Sequence, residues 1–289
     1  MPSPLDRRAC LLITCRDGPG IVAAATSFLF ARGANVTDLQ QHSTDPDGGT
    51  FFMRLEFVLP EPSPEPAELS ARFQAEVAER FGMQWRLRHF RDRRRFAVLV
   101  STEDHALLEL LWGWKRGELA AEPALVVGNH PDLRSAVEWF GVPFEHVPIG
   151  PEGMAPAEAR LLELLEGRAD LLVLARYMRV LSEGFVRRFP SRIINIHHSF
   201  LPAFLGAEPY RQAHERGVKL VGATAHYVVA DLDAGPIIEQ DVTRVSHRQS
   251  VADLKALGRA LERQVLARAV KLHLEERILV HGNKTVVFG

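Results

Sequence analysis

The 289-residue sequence is short of cysteine, of net charge and of long apolar runs, and each shortage removes a class of protein. Its two cysteines, Cys10 and Cys15, fall in the single stretch ACLLITC, which suits neither a zinc motif nor a disulfide framework. Both read as ordinary strand residues in a reducing compartment. With 35 basic and 36 acidic side chains, the formal net charge of -1 gives no global attraction to nucleic acid or to an anionic membrane, so a small-molecule partner fits better. No apolar run approaches the ~18–20 residues needed to span a bilayer, and the opening MPSPLDRRACLLITC lacks the layout of a signal peptide. A cytoplasmic protein without membrane or nucleic-acid partners is expected. Low-complexity tracts are also missing, and 46% apolar with 25% charged residues describes an ordinary folded chain.

What is present falls into two patterns, as expected of a chain longer than the ~100–200 residues of a typical domain. Over residues 1–90 an apolar run (9–15) stops at Arg16-Asp17-Gly18-Pro19-Gly20 and is followed by the helix-like IVAAATSFLFARG. Two strands then meet at a turn around Asp47-Gly48-Gly49. A helix near 67–81 and the strand MQWRLRHF complete a βαββαβ order, that of a ferredoxin-like α+β sandwich. RDRRR at 91–95 reads as a solvated basic linker or an oligomer contact in preference to a polyanion site. From 96 to 289 the strand-like runs FAVLV, ALVVGN, ADLLVLA and RIINIH alternate with helical stretches near 105–116, 131–140, 156–167 and 182–189. That alternation predicts an α/β domain with a doubly wound, mostly parallel sheet, ending in VGATAHYV and PIIEQDV and a long helix at about 250–273.

The chemistry concentrates in two segments. In NIHHSFLPAF (195–204), at the carboxyl end of a strand where open α/β sheets bind ligands, Asn195 and His197 share a face and His198 points elsewhere or begins the loop. In HYVVADLDAGPIIEQ (226–240) a strand runs into a loop bearing Asp231 and Asp233 before Ala234-Gly235-Pro236. Imidazole and carboxylate together activate a water, and an amide donates to the oxyanion of a tetrahedral intermediate, so the set suits acyl transfer. Taken singly, the histidine is a common structural residue and Asp-x-Asp is common turn chemistry. A metal set of His197, His198 and His226 lacks any H-E-x-x-H or H-x-x-E-H spacing, and no metal is expected.

NIHHSFLPAF, GATAHYV and DLDAGPIIEQDV, together with LARYMRVLS at 174–182 and GNKTVVF at 282–288, closely resemble the folate-dependent formyltransferase superfamily. Within it the match is to the deformylase branch, and the first ninety residues resemble that branch's ACT domain. The resemblance implies hydrolysis of 10-formyltetrahydrofolate to formate and tetrahydrofolate, which supplies formate for purine synthesis and balances one-carbon folate pools. It implies catalysis by Asn195, His197 and Asp233, with Asp233 taking a proton from water directly or through His197. It also implies that the pterin is held by Met178, Arg179 and Leu181 and by the stretch from Asp231 to Gly235, largely through backbone groups, with the Arg179 side chain facing solvent. No cofactor beyond the folate substrate is implied. For the ACT part, the resemblance implies methionine and glycine as opposing effectors bound at an interface near Asp17, Gly18, Gly20 and Asn35, and a homo-oligomer; the alternative is that Gly18 and Gly20 only make the turn and the domain only builds the oligomer.

Departures from relatives narrow the acceptor. The transformylases that use glycinamide ribonucleotide carry a Gly-rich phosphate loop where this chain reads Ser101-Thr102-Glu103-Asp104-His105, an acidic pair that repels phosphate. The tRNA formyltransferases append a basic barrel after the catalytic unit, and this chain reaches Gly289 without one. Water is the remaining acceptor, with transfer to another amine, or a silent folate or amino-acid sensor, as the alternatives. Ala106 stands where deformylases commonly have cysteine and Glu208 where they have a basic residue, which bears on the folate tail.

Overall fold

The computed structural model describes residues 7–45, 47–202 and 208–289. The chain divides into two compact units, residues 1–93 with 276–279 and 286–289, and residues 94–275 with 280–285.

The first unit runs β1 (Arg8–Arg16), α1 (Ile21–Phe30), β2 (Asn35–Ser43), β3 (Thr50–Val58), α2 (Pro66–Phe73), a π-helical turn (Gln74–Ala78), α3 (Glu79–Phe81) and β4 (Gln84–His89). Its antiparallel sheet has the order β2-β3-β1-β4. The unbroken apolar run of β1 has a direct cause: side chains alternate between faces, and both faces are covered. Leu11, Ile13 and Cys15 pack with Phe28, Leu69 and Phe73 of the helices. Cys10 and Leu12 pack with Phe52, Leu279 and Phe288, so the last residues of the chain complete this core. The single helix expected over 67–81 is interrupted by the π turn, whose wider winding keeps Val77 and Ala78 in the same core as Leu69 and Phe73.

The second unit runs β5 (Arg94–Val100), α4 (His105–Lys115), β6 (Ala121–Gly128), α5 (Arg134–Trp139), β7 (Phe144–His146), α6 (Met154–Leu165), β8 (Leu171–Leu174), α7 (Glu183–Arg187), β9 (Ile193–His197), α8 (Pro209–Arg216), β10 (Leu220–Tyr227), β11 (Ile237–Arg244) and α9 (Val251–Leu274). The sheet order is β11-β10-β9-β8-β5-β6-β7, parallel from β9 to β7 and antiparallel at β10 and β11. The doubly wound, mostly parallel sheet is therefore as expected. Because β6 lies on one side of β5 and β8 on the other, the winding reverses there, which leaves a crevice at the strands' carboxyl ends.

Three elements escape the sequence pattern: β7, three residues long; α8, polar almost throughout; and a final hairpin of β12 (Ile278–His281) and β13 (Lys284–Val287). Helix α9 is stabilised at its start by a reciprocal capping box between Ser250 and Asp253. Among the described residues no helix is long and apolar enough to cross a membrane.

Candidate active site

Strand β9 delivers the first two groups. Asn195 and His197 lie on one face at its carboxyl end, and the antiparallel register of β10 sets His226 opposite Asn195. Asn195 Nδ2 lies 3.3 Å from His226 Nε2. The other nitrogen, His226 Nδ1, is 2.9 Å from the carbonyl oxygen of Tyr227. A carbonyl only accepts, so His226 carries a proton on Nδ1, and Nε2 is free to accept from the Asn195 amide.

The third group comes from the turn after β10. Asp233 has φ 53°, in the left-handed region that short polar side chains tolerate best. The turn is tied in three places: Ala234 N–H donates to Asp231 O (3.3 Å), Tyr227 N–H donates to Pro236 O (3.0 Å), and Asn283 Nδ2 donates to Ala234 O (2.9 Å). Gly235 is required by packing, since a Cβ there would sit 1.7 Å from the carbonyl oxygen of Tyr227. Held this way, Asp233 Oδ2 reaches 3.2 Å from His197 Nδ1 and Oδ1 reaches 3.5 Å from His226 Nε2. Hydrogen bonding from His197 holds the Asp233 carboxyl far below the usual carboxylate range. The carboxylate is thus ionised whenever the protein is folded near neutrality. His197 is 6% exposed, and its Nε2 has no hydrogen-bond partner among the described residues.

A cavity of about 350 Å³ opens over this set, within the size range of small-ligand sites. Of the residues expected at the site, Asn195, His197, Asp233, Met178, Arg179 and Leu181 line it. Asp231 and Gly235 do not: Asp231 is exposed and Gly235 is buried against Tyr227, so their part in the loop is to shape the turn. The Met178–Leu181 segment is fixed by side chains from other elements. Ser101 Oγ accepts from Met178 N–H (3.0 Å), and Glu158 accepts from Ser182 N–H (2.6 Å). Arg179 is exposed but not wholly given to solvent, because the Asn129 amide, oriented to satisfy Val100 O and Ser101 Oγ, accepts from Arg179 Nε at 3.2 Å.

Several site residues were not legible as such in the sequence. His226 figured there only in a metal set, whereas the structure makes it the partner of both Asn195 and Asp233. The signal was the strand GATAHYV, but its value depends on knowing which residue it faces across the sheet. His198 begins the loop after β9, as one of the two expectations had it, and still lines the same cavity, with its ring stacked on that of His197 (centroids 4.9 Å apart). Glu208, with φ 53°, is exposed and paired with Arg211 at 3.1 Å, and Ala106 is buried in α4. The Leu201–Pro202 peptide is cis. Residues 203 and 204 of NIHHSFLPAF lie outside the described residues.

In the first unit, Asp17, Gly18 and Gly20 form the β1–α1 turn. Asp17 Oδ1 accepts from Gly18 N–H (2.8 Å), its other oxygen accepts from Ser43 Oγ, and Gly20 has φ 91°. Asn35 is elsewhere. It is paired with Val58, which faces Arg8 at the start of β1, whereas the turn follows Arg16 at the strand's far end. Within a single chain these four residues therefore do not line one place, because β2 runs in the same direction as β1 and begins at the end of the sheet away from the turn.

Comparison with known proteins fits both units. Residues 94–270 match the formyl transferase family model and residues 11–65 the ACT domain model. The chain is 53% identical over 280 residues to a formyltetrahydrofolate deformylase of Bacillus subtilis, covering 96% of this chain and 93% of that one. The chain belongs to the formyltetrahydrofolate deformylase family. Solved structures of the family agree in shape. A deformylase from Pseudomonas syringae superposes with a TM-score of 0.93 at 47% identity, covering 98% of this chain and 95% of that one. One from Burkholderia mallei gives 0.91 at 43% identity, covering 98% and 100%.

Proposed function

We propose that the protein hydrolyses 10-formyltetrahydrofolate to formate and tetrahydrofolate at the cavity over Asn195, His197 and Asp233. The observation that carries this reading is His197: Nδ1 is held by the ionised Asp233, and Nε2 is buried without a partner beside an amide donor. With its Nδ1 proton given to Asp233, a neutral His197 keeps its lone pair on Nε2, which makes that atom the base.

In this reading the pterin lies against Met178, Arg179 and Leu181, with the formyl carbon over β9. A water oxygen bonds to the formyl carbon while its proton passes to His197 Nε2, and Asp233 stabilises the resulting imidazolium. Asn195 gives one amide hydrogen to His226, and the second serves the developing oxyanion. Collapse breaks the bond from carbon to N10, His197 returns the proton to that nitrogen, and formate and tetrahydrofolate leave. No step calls on a metal or prosthetic group. The formate would feed purine synthesis and the reaction would balance one-carbon folate pools.

The first unit is read as an amino-acid-binding regulatory and oligomerisation domain over residues 1–90, joined through 91–95 to the catalytic part. Since Asn35 and Asp17–Gly20 occupy opposite ends of one sheet, a site using all four needs two copies of the chain, as a homo-oligomer would supply, and methionine and glycine would be its opposing effectors. Incubating the purified protein with 10-formyltetrahydrofolate alone tests the activity. Equal amounts of formate and tetrahydrofolate are expected, and formyl loss that waits for an added amine would instead identify a transferase.

A further inference from the structure

Behind His197 lies a buried polar chain that the proposed reaction does not use. Glu262 of α9 is 1% exposed and gathers two hydrogen bonds, with Tyr210 Oη at 2.9 Å and His105 Nε2 at 2.8 Å, and an ion pair with Arg176, whose Nε lies 3.5 Å away. Tyr210 can reach it because Gly258, one turn earlier on α9, has no side chain; a Cβ there would lie 1.8 Å from Tyr210 Oη. Arg176, at the end of β8 with φ 61°, then reaches forward so that Nη1 sits 2.8 Å from His198 Nδ1. His198 stacks on His197 with an interplanar angle of 19°.

The chemistry of that contact admits one arrangement. A guanidinium only donates, so His198 Nδ1 must accept and be unprotonated, which leaves the single ring proton on Nε2. The groups facing His198 are Arg176 after β8, His197 on β9, Tyr210 on α8, Asp233 in the turn after β10 and Glu262 on α9. Resting on the reading of His197 as the base, we propose that Arg176, braced by Glu262, is a positioning residue that locks His198 as a neutral imidazole beneath His197. Burial first, and the Arg176 charge second, push His198 down to about 4, in the direction the geometry requires. The lock matters because His197 becomes a cation during turnover, and a second imidazolium stacked on it would oppose that step.

Without Arg176, burial still lowers His198, but the neighbouring cation and the donor to Nδ1 are gone, so His198 takes up its second proton at a higher pH than in the native protein. The turnover of Arg176→Gln relative to the native protein should therefore fall as pH is lowered, by about twofold or more between pH 7.5 and pH 5, where half or more of the released ring is charged. Arg176→Lys, which keeps a cation that only donates, and the double variant Arg176→Gln/His198→Gln, which removes the titrating ring, should each hold a constant ratio. A constant ratio in Arg176→Gln, or a double variant that falls in the same way, overturns the proposal.

A second measurement is independent of turnover. Imidazole nitrogen shifts of the native protein in solution should report His198 as the neutral form protonated on Nε2 from pH 5 to 7.5. A His198 that titrates near 6.5, or carries its proton on Nδ1, overturns the lock. If the native protein releases no formate while these shifts are as expected, the hydrolase reading fails and the lock stands.

Discussion

Asp233 Oδ2 lies 3.2 Å from Nδ1 of His197, and the same carboxylate sets its other oxygen 3.5 Å from Nε2 of His226. One acid thus sits between two imidazoles from adjacent strands and orients the first, while Tyr227 O and Asn195 orient the second. This fixes which nitrogen of His197 faces substrate, and the predictions about the site follow from it.

Asp233→Asn keeps the size of the side chain and removes the charge that stabilises protonated His197. Turnover should drop by about 10³-fold, while the Kd for a folate analogue should change little, because the pterin contacts assigned to Met178–Leu181 are untouched. Near-native turnover in steady-state assays would remove Asp233 from the mechanism.

The same residue sets a pH dependence of stability. Its folded carboxyl lies well below the unfolded value of ~3.9, so its stabilising contribution is complete above that value and is lost as pH falls through the folded one. The difference in melting temperature between the native protein and Asp233→Asn should be constant above pH ~5 and shrink below pH ~4. A difference that persists unchanged to pH 2.5 would contradict the depressed carboxyl.

Gly235→Ala tests the turn that presents Asp233. With a Cβ directed at the Tyr227 carbonyl from 1.7 Å, backbone must move, and a destabilisation of about 2–3 kcal/mol is expected by denaturant unfolding. Turnover of the folded fraction should also fall. A variant of native stability would show that the turn is looser than its packing indicates.

How much of this was readable from sequence depends on what kind of contact each residue makes. Asn195 and His197 were legible because a strand's two-residue period puts them on one face whatever their surroundings. The alternating strands and helices of the second unit were legible for a similar local reason. His226 was not, because its role arises from the β9–β10 register, a pairing between residues far apart in the chain. Asn283 was hidden in the same way: it lies in the resembling segment GNKTVVF, but only the hairpin's placement shows that its amide holds Ala234, next to Asp233. Asn35 marks the converse case, a residue grouped with Asp17 in sequence that the strand directions place at the other end of the sheet within one chain.

Asn283→Ala should therefore act on catalysis through the turn. Loss of one hydrogen bond costs about 1 kcal/mol of stability, and a loosened Asp233 should lower kcat by about tenfold with KM nearly unchanged. Equal loss in kcat and gain in KM would point to a general disturbance of the cavity instead.

The central claim is that water is the formyl acceptor, and the label carried by the product tests it most directly. With 10-formyltetrahydrofolate as sole substrate in water enriched in oxygen-18, mass spectrometry should find formate carrying one solvent oxygen, formed in equal amount with tetrahydrofolate. Formate lacking the label, or no formate until an amine is supplied, would contradict hydrolysis at His197 and Asp233.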